Sequence, residues 1–183
     1  MNRERALELI NANVRNQNLV KHMLATEAIM RALARRLGGD EEAWGLAGLL
    51  HDVDYELTGD DPAKHALAGA EMLAALGVDA AIVYAVKVHN EALGDPRITP
   101  MDKALFAGEA LTGLITAAAL VRPDRKLASV TAQSVLKRFG EKAFARGASR
   151  ENIATCSDLG IDLPEFVEIG LAAMQGIADD LGL

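Results

Sequence analysis

The sequence predicts an all-α fold, a single-domain helical bundle, and three observations carry that expectation. Apolar residues recur three and four positions apart along almost the whole chain, while the alternation of a half-buried strand is nearly absent. Helix-start chemistry recurs as well: Asp61-Pro62 and Thr99-Pro100 each set a capping side chain before a proline at the first helical position. Finally, 183 residues that are 50% hydrophobic and only 4% aromatic suit one packed helical core and are too few for two ordinary domains.

Asn2 caps a first helix that runs to about residue 13. A second spans about 16–37, where Gly38-Gly39 stops it, and Asp40, followed by Glu41 and Glu42, starts a third that ends near His51-Asp52. The stretch DVDYELTGD, residues 52–60, reads as a loop. Asp61 then caps a helix ending at Gly77, Asp79 caps one running through His89, and Thr99 opens a long helix that continues through ALFAGEALTGLITAAALV, residues 104–121. Beyond Arg122-Pro123, helices are expected at about 130–139, 149–157 and 163–183. No repeat, low-complexity tract or long linker interrupts the chain, so residues 1–183 read as one domain with a helical C-terminal extension over about 122–183.

Composition disfavours several functions. A net charge of −7 argues against a nucleic-acid polymer as partner. The charge is uneven, however: residues 122–150 carry eight Lys or Arg against Asp124 and Glu141, leaving −13 on the remainder. Such a patch suits a phosphorylated substrate or a solvated helix face, and the solvated face is the better expectation. The opening MNRERALELI places charges where a signal peptide needs an apolar stretch, and Cys156 is the one cysteine, so a reducing, cytoplasmic setting is expected. Cys156 itself reads as a small packed residue. Residues 104–121 reach the length of a membrane span, but Glu109, Thr112, Thr116 and two glycines dilute the run and no aromatics flank it. It reads as a buried core helix, with no membrane as partner.

Glu109 is the single charge in that run, and a buried ionised carboxylate is costly unless something pairs with it. The chain has four histidines, each on a different expected helix. His22 shares a face with Ala25, Thr26, Ile29 and Leu33, and His51 follows Trp44, Ala47 and Gly48. His65 precedes Ala68, Gly69, Met72 and Leu76, and His89 follows Ile82, Ala85 and Val86. All four point inward, as does Glu109 between Leu105, Phe106, Thr112 and Gly113. One inward histidine is more often a core imidazole bonded to a backbone carbonyl. Four together, with Asp52 beside His51, make the donor set of a metal centre in a helix bundle and give Glu109 its partner. Neighbouring residues on a helix diverge by about 100°, so His51 and Asp52 converge on one ion most easily where their helix ends, which the sequence HDVDY suits.

These residues resemble the HD superfamily of metal-dependent phosphohydrolases, whose pattern is His, then His-Asp, then a later Asp, all on helices: here His22, His51-Asp52 and Glu109. Members with two metals add two histidines before the last carboxylate, which map to His65 and His89. HALAGAEML is similar to their His-x-x-x-Gly-Ala segment, and AVKVHNEALG followed by DKALFAGEAL resembles their last two ligand helices. The resemblance covers about residues 19–115, within a metal-site core of about 16–121. It departs at Gly108-Glu109, where the pattern has Ala-Asp and Glu reaches about one methylene further.

The resemblance implies divalent metal ions, two in number and not distinguishable as Mn, Fe, Co, Ni, Mg or Zn. His22, His51, Asp52 and Glu109 would hold one; Asp52, His65 and His89 the other. It implies hydrolysis of a phosphoester, a nucleotide or dinucleotide foremost, by attack of a metal-bound hydroxide. Asp52 and Asp54 are the catalytic candidates, Asp54 as a group that orients the water or receives its proton, or else braces a ligand histidine. Lys64 and Lys103 are candidates for contact with substrate phosphate. The expected partner is a small phosphorylated substrate, with a homodimer left open. The same ligands resemble those of di-iron oxygenases of the myo-inositol oxygenase type, and a non-catalytic domain that senses a metal or ligand is a third reading. The HD-GYP segment of cyclic dinucleotide phosphodiesterases is absent, since the chain reads HNEALG from His89.

Overall fold

The computed structural model describes residues 1–59 and 61–183, and every regular element among them is helical. Helices α1 (Arg3–Asn13), α2 (Gln17–Leu37) and α3 (Glu41–Leu50) start where the side chains of Asn2, Asn16 and Asp40 accept hydrogen bonds from first-turn N–H groups. α2 ends on Gly38 at φ 73°, a left-handed cap that glycine adopts without strain. After a short α4 (Tyr55–Thr58) come α5 (Leu67–Ala75), α6 (Ala80–Val88) and α7 (Pro100–Leu120). The remainder folds as α8 (Ala132–Phe139), α9 (Arg150–Ala154), α10 (Leu163–Gln175) and α11 (Ala178–Leu181), with short 3-10 turns between.

Three expected elements differ. Residues 52–60 were expected as loop, but α4 forms there; residue 60 itself lies outside the described residues. The helix expected from Pro62 begins only at Leu67, because Ala66 takes φ 68° and breaks the single turn in which the His65 N–H donates to the Asp61 carbonyl. His65 therefore sits on a turn ahead of α5, not on a helix. The last helix, expected over 163–183, breaks at Gly176 and resumes as α11.

α2 and α7, 21 residues each, form the middle of the bundle. α3, α7 and α10 pack on α2, α6 bridges α3 and α7, and the segments after residue 122 return onto α7 and α2. A Cβ added at Gly48 would lie 2.8 Å from the Thr26 carbonyl oxygen, so glycine is what lets α3 approach α2. α7 starts at a reciprocal box in which Thr99 caps the Asp102 N–H and the Asp102 side chain accepts from the Thr99 N–H. By length and composition it is the one described helix apolar enough to cross a membrane, yet 67% of that stretch is buried inside the bundle.

A half-buried charge network ties the first helices together. Glu27 accepts from Arg3 at 2.7 Å and from Arg31 at 3.0 Å, and Arg31 also reaches Glu42 at 2.7 Å. In the basic segment, Arg138 pairs with Glu141. Arg150 directs its N–H groups to the carbonyls of Arg138, Phe139, Glu141, Phe144, Ala145 and Ala148, fixing the loop between α8 and α9. These two cations serve the fold and are not free for a ligand. Cys156 is 1% exposed and its thiol is pushed up by burial. A thiol reagent should therefore label the native protein far more slowly than the unfolded chain; equal rates would contradict the packing.

Candidate metal centre

His51 and His89 are the residues on which α3 and α6 end, and each folds its ring back over its own last turn. The His51 Nδ1–H donates to the Gly48 carbonyl at 2.8 Å, and the His89 Nδ1–H donates to the Val86 carbonyl at 2.6 Å. His22, on α2, directs Nδ1 to the Thr112 hydroxyl on α7 at 2.8 Å. That hydroxyl gives its own proton to the Glu109 carbonyl at 2.6 Å, so its oxygen accepts and His22 Nδ1 donates. His65 Nδ1 faces the Asp54 carboxylate at 3.1 Å.

All four imidazoles thus commit Nδ1–H to an acceptor and turn Nε2 inward. The consequence is electrostatic. His22 Nε2 lies 3.1 Å from His51 Nε2, and His65 Nε2 lies 3.2 Å from His89 Nε2. Two neutral nitrogens at that distance would point lone pair at lone pair, which is repulsive unless a proton or a metal cation sits between them.

Asp52 completes both pairs. Its Oδ2 is 3.4 Å from His51 Nε2 and 3.7 Å from His22 Nε2, while Oδ1 is 3.4 Å from His65 Nε2 and 3.5 Å from His89 Nε2. Ligand bonds of about 2.1 Å place neighbouring donor atoms roughly 3.0 Å apart at right angles and 4.2 Å apart when opposite. Every one of these separations falls in that window, so His22, His51 and Asp52, and likewise Asp52, His65 and His89, are spaced as a group that could hold a metal ion. Glu109 Oε2 stands 3.8 Å from His22 Nε2 and 4.0 Å from His51 Nε2, at the outer end of the range.

The protonation pattern favours positive charge here. Burial is the largest influence on Asp52 and would raise its pKa, but His51, His65 and His89 together hold the carboxyl well below the usual range. Burial, then the neighbouring His51, lowers His22 to about 4, so it stays neutral. Burial lowers His65 too, yet Asp52 and Asp54 outweigh it and bring the group to about 9. The proton thus held occupies the place a divalent ion would take. Burial raises Glu109, whose side chain is 24% exposed and faces the mouth of the cleft.

The structure relocates three expected residues. Asp54 is fully buried: Oδ1 accepts from His65 and Oδ2 from the Gly69 N–H at 2.9 Å, which leaves it no route to a substrate water. It is a positioning residue behind His65, and a Cβ at Gly69 would crowd its carboxylate at 3.1 Å. Asp54→Asn should weaken metal affinity about 10–100-fold in a metal titration, and unchanged affinity would mean that His65 is held without it. Lys64 is 72% exposed and pairs with Asp61 at 2.9 Å. Neither Lys64 nor Lys103 lines the cleft over the cluster, a space of about 470 Å³ bordered by Tyr55, Glu109, Thr112, Gly147 and Asn152. Sequence reasoning missed two contacts. Thr112 as the acceptor for His22 was signalled by its place one turn after Glu109; Tyr55, whose ring meets His65 edge-on at 5.1 Å, carried no signal.

The HD domain profile matches residues 19–122, which brackets every residue of the cluster from His22 to Glu109. The chain belongs to the HD domain family. Its curated relatives include ribonuclease Y of Lawsonia intracellularis, 30% identical over 147 residues, or 74% of this chain and 26% of that protein. Ribonuclease Y of Opitutus terrae is 28% identical over 148 residues, again 74% of this chain and 26% of its own length. That of Chloroflexus aurantiacus is 35% identical over 74 residues, 40% of this chain and 14% of its own. This HD chain thus matches about a quarter or less of those proteins. No solved structure matches. Membership of the HD family supports metal-dependent phosphohydrolase chemistry in general.

Proposed function

We propose that this HD domain hydrolyses a small phosphate ester at a two-metal centre. The observation that carries the reading is the pairing of four inward Nε2 atoms around the two oxygens of Asp52. His22, His51, Asp52 and Glu109 hold one ion and Asp52, His65 and His89 the other. When bound, divalent ions supply Lewis acidity toward phosphoryl oxygens and lower the pKa of water toward neutrality. The chain's own part is to orient. Thr112, Asp54 and the carbonyls of Gly48 and Val86 fix all four rings, and Asp52 keeps a negative charge between them. Four neutral imidazoles and two carboxylates leave two divalent ions a net positive charge, which attracts an anionic substrate.

Nucleotides are the first substrate class to test. The name of the ribonuclease Y relatives points to RNA phosphodiesters as the alternative. The net charge of −7 and the internal engagement of Arg138 and Arg150 favour a small ester.

The deciding experiment is metal content per chain in protein purified without chelator or affinity tag, read beside His89→Ala. Two ions, falling to one in the variant, and turnover of phosphate esters are expected. One ion that ignores His89 would reduce the site to a single metal, and no ion after incubation with manganese, iron or cobalt would sink the reading. Predominant iron with oxygen-dependent turnover would turn it to an oxygenase. Metal binding without turnover of mononucleotides, other monoesters or an oligoribonucleotide would turn it to a sensor.

A further inference from the structure

The cleft over the cluster adjoins a larger cavity, of about 610 Å³, on the other side of His22. Asn18, His22, Thr112, Gly113, Gly147 and Ala148 border both, so the two spaces adjoin along a trough that the His22–Thr112 hydrogen bond crosses. Asp52 and Glu109 lie at one end of it. The other end is walled mostly by aliphatic side chains, Ala25, Ala117, Leu120, Ala145, Leu181 and Leu183, with Thr116 and Lys21 beside them. At the boundary a Cβ added at Gly147 would meet nothing within 4 Å, whereas one at Gly113 would touch the Ala148 Cβ at 3.6 Å, so α7 and residue 148 approach closely there.

We infer that this cavity receives the alcohol portion of the substrate and that this portion is aliphatic. The inference rests on the hydrolase reading above and narrows it from nucleotides to phosphate esters of short aliphatic alcohols. A volume of about 610 Å³ lies within the span of small-ligand sites, roughly 300–1,000 Å³. A nucleobase gains its affinity from stacking and from hydrogen bonds to its edges, and apart from the His22 imidazole no ring lines this wall among the described residues. An alkyl chain needs neither and is favoured by each methylene it buries. The trough then sets the ester's phosphoryl group against Asp52 and Glu109 and its chain between α2, α7 and residues 181–183. Lys21, the one Lys or Arg lining the cavity, stands at its far end, where its Nζ lies 3.0 Å from the position a Gly182 Cβ would take.

The test is binding of alkylphosphonates, from methyl- to hexylphosphonate, to the manganese-loaded protein, with the matching n-alcohols measured beside them. Affinity should rise about threefold to fourfold per methylene in both series. Ala117→Phe, which fills the cavity from α7, should flatten the dependence and leave methylphosphonate binding unchanged; Ala145→Leu, which borders the cavity and not the cleft, does the same from the opposite wall if the first variant fails to fold. Methylphosphonate that binds with no gain from added length would overturn the inference and leave the hydrolase reading standing. Failure of every phosphonate, with the alcohols still showing the length dependence, would overturn the hydrolase reading while the cavity keeps its aliphatic preference. Alcohols that show no dependence, or phosphonates whose dependence survives both variants, would place the chain elsewhere and overturn the inference.

Discussion

Replacing Asp52 with alanine should strip the protein of both ions and cut phosphate-ester hydrolysis by at least about 10³-fold, the largest functional effect expected of any single substitution here. Each histidine serves one half of the cluster, whereas Asp52 presents Oδ2 to His22 and His51 and Oδ1 to His65 and His89. Its histidine neighbours also hold it in its charged form. Removing it leaves Glu109, at the outer edge, as the carboxylate that faces the Nε2 atoms of His22 and His51. Elemental analysis and steady-state kinetics on the variant check this. A variant that keeps one full ion would show that Asp52 does not join the two halves, and full activity would place the chemistry elsewhere.

Gly48→Ala should lower stability by about 3 kcal/mol, a fall in Tm of roughly 6–12 °C. Two effects oppose one another. Alanine inside a helix is favoured over glycine by about 1 kcal/mol, but the new Cβ would stand 2.8 Å from the Thr26 carbonyl oxygen and 2.9 Å from its carbon. Those atoms are backbone and cannot rotate away, so α3 must move off α2. The Gly48 carbonyl also anchors His51 Nδ1, so the shift should loosen metal binding as well. Thermal melts with and without metal check both parts; a variant as stable as the parent would mean that α2 and α3 slide apart freely.

Much of this fold was legible because helix starts are local chemistry. Asn2, Asn16, Asp40, Asp79 and Thr99 each accept from N–H groups two or three residues on, and those side chains announce themselves in the sequence. The inward side chains of His22, His51 and His89 were legible for the same kind of reason, since helical spacing shows which face each shares with apolar neighbours, whereas His65 reaches the cluster from a turn. What stayed hidden depends on contacts distant in the chain. Ala66 adopts a left-handed conformation while fully buried, and nothing in its own side chain favours that. Asp54 is closed off by the backbone of Gly69, fifteen residues later, and by His65. The pull of Asp61-Pro62 toward a helix start was genuine but ran for only one turn. Lys64 was a candidate for contact with phosphate, yet its ion pair with Asp61 at 2.9 Å holds it at the surface.

The loop fixed by Arg150 bears on how this domain could change over generations. One guanidinium holds six main-chain carbonyls between residues 138 and 148, and Gly147 and Ala148 from that stretch border the cleft. Because every acceptor is backbone, any residue type offers the same carbonyl. The side chains facing the trough can therefore be exchanged without dissolving the wall that carries them, provided the guanidinium stays. Mutational drift in this stretch would retune which molecules are admitted while the shape of the rim is inherited intact.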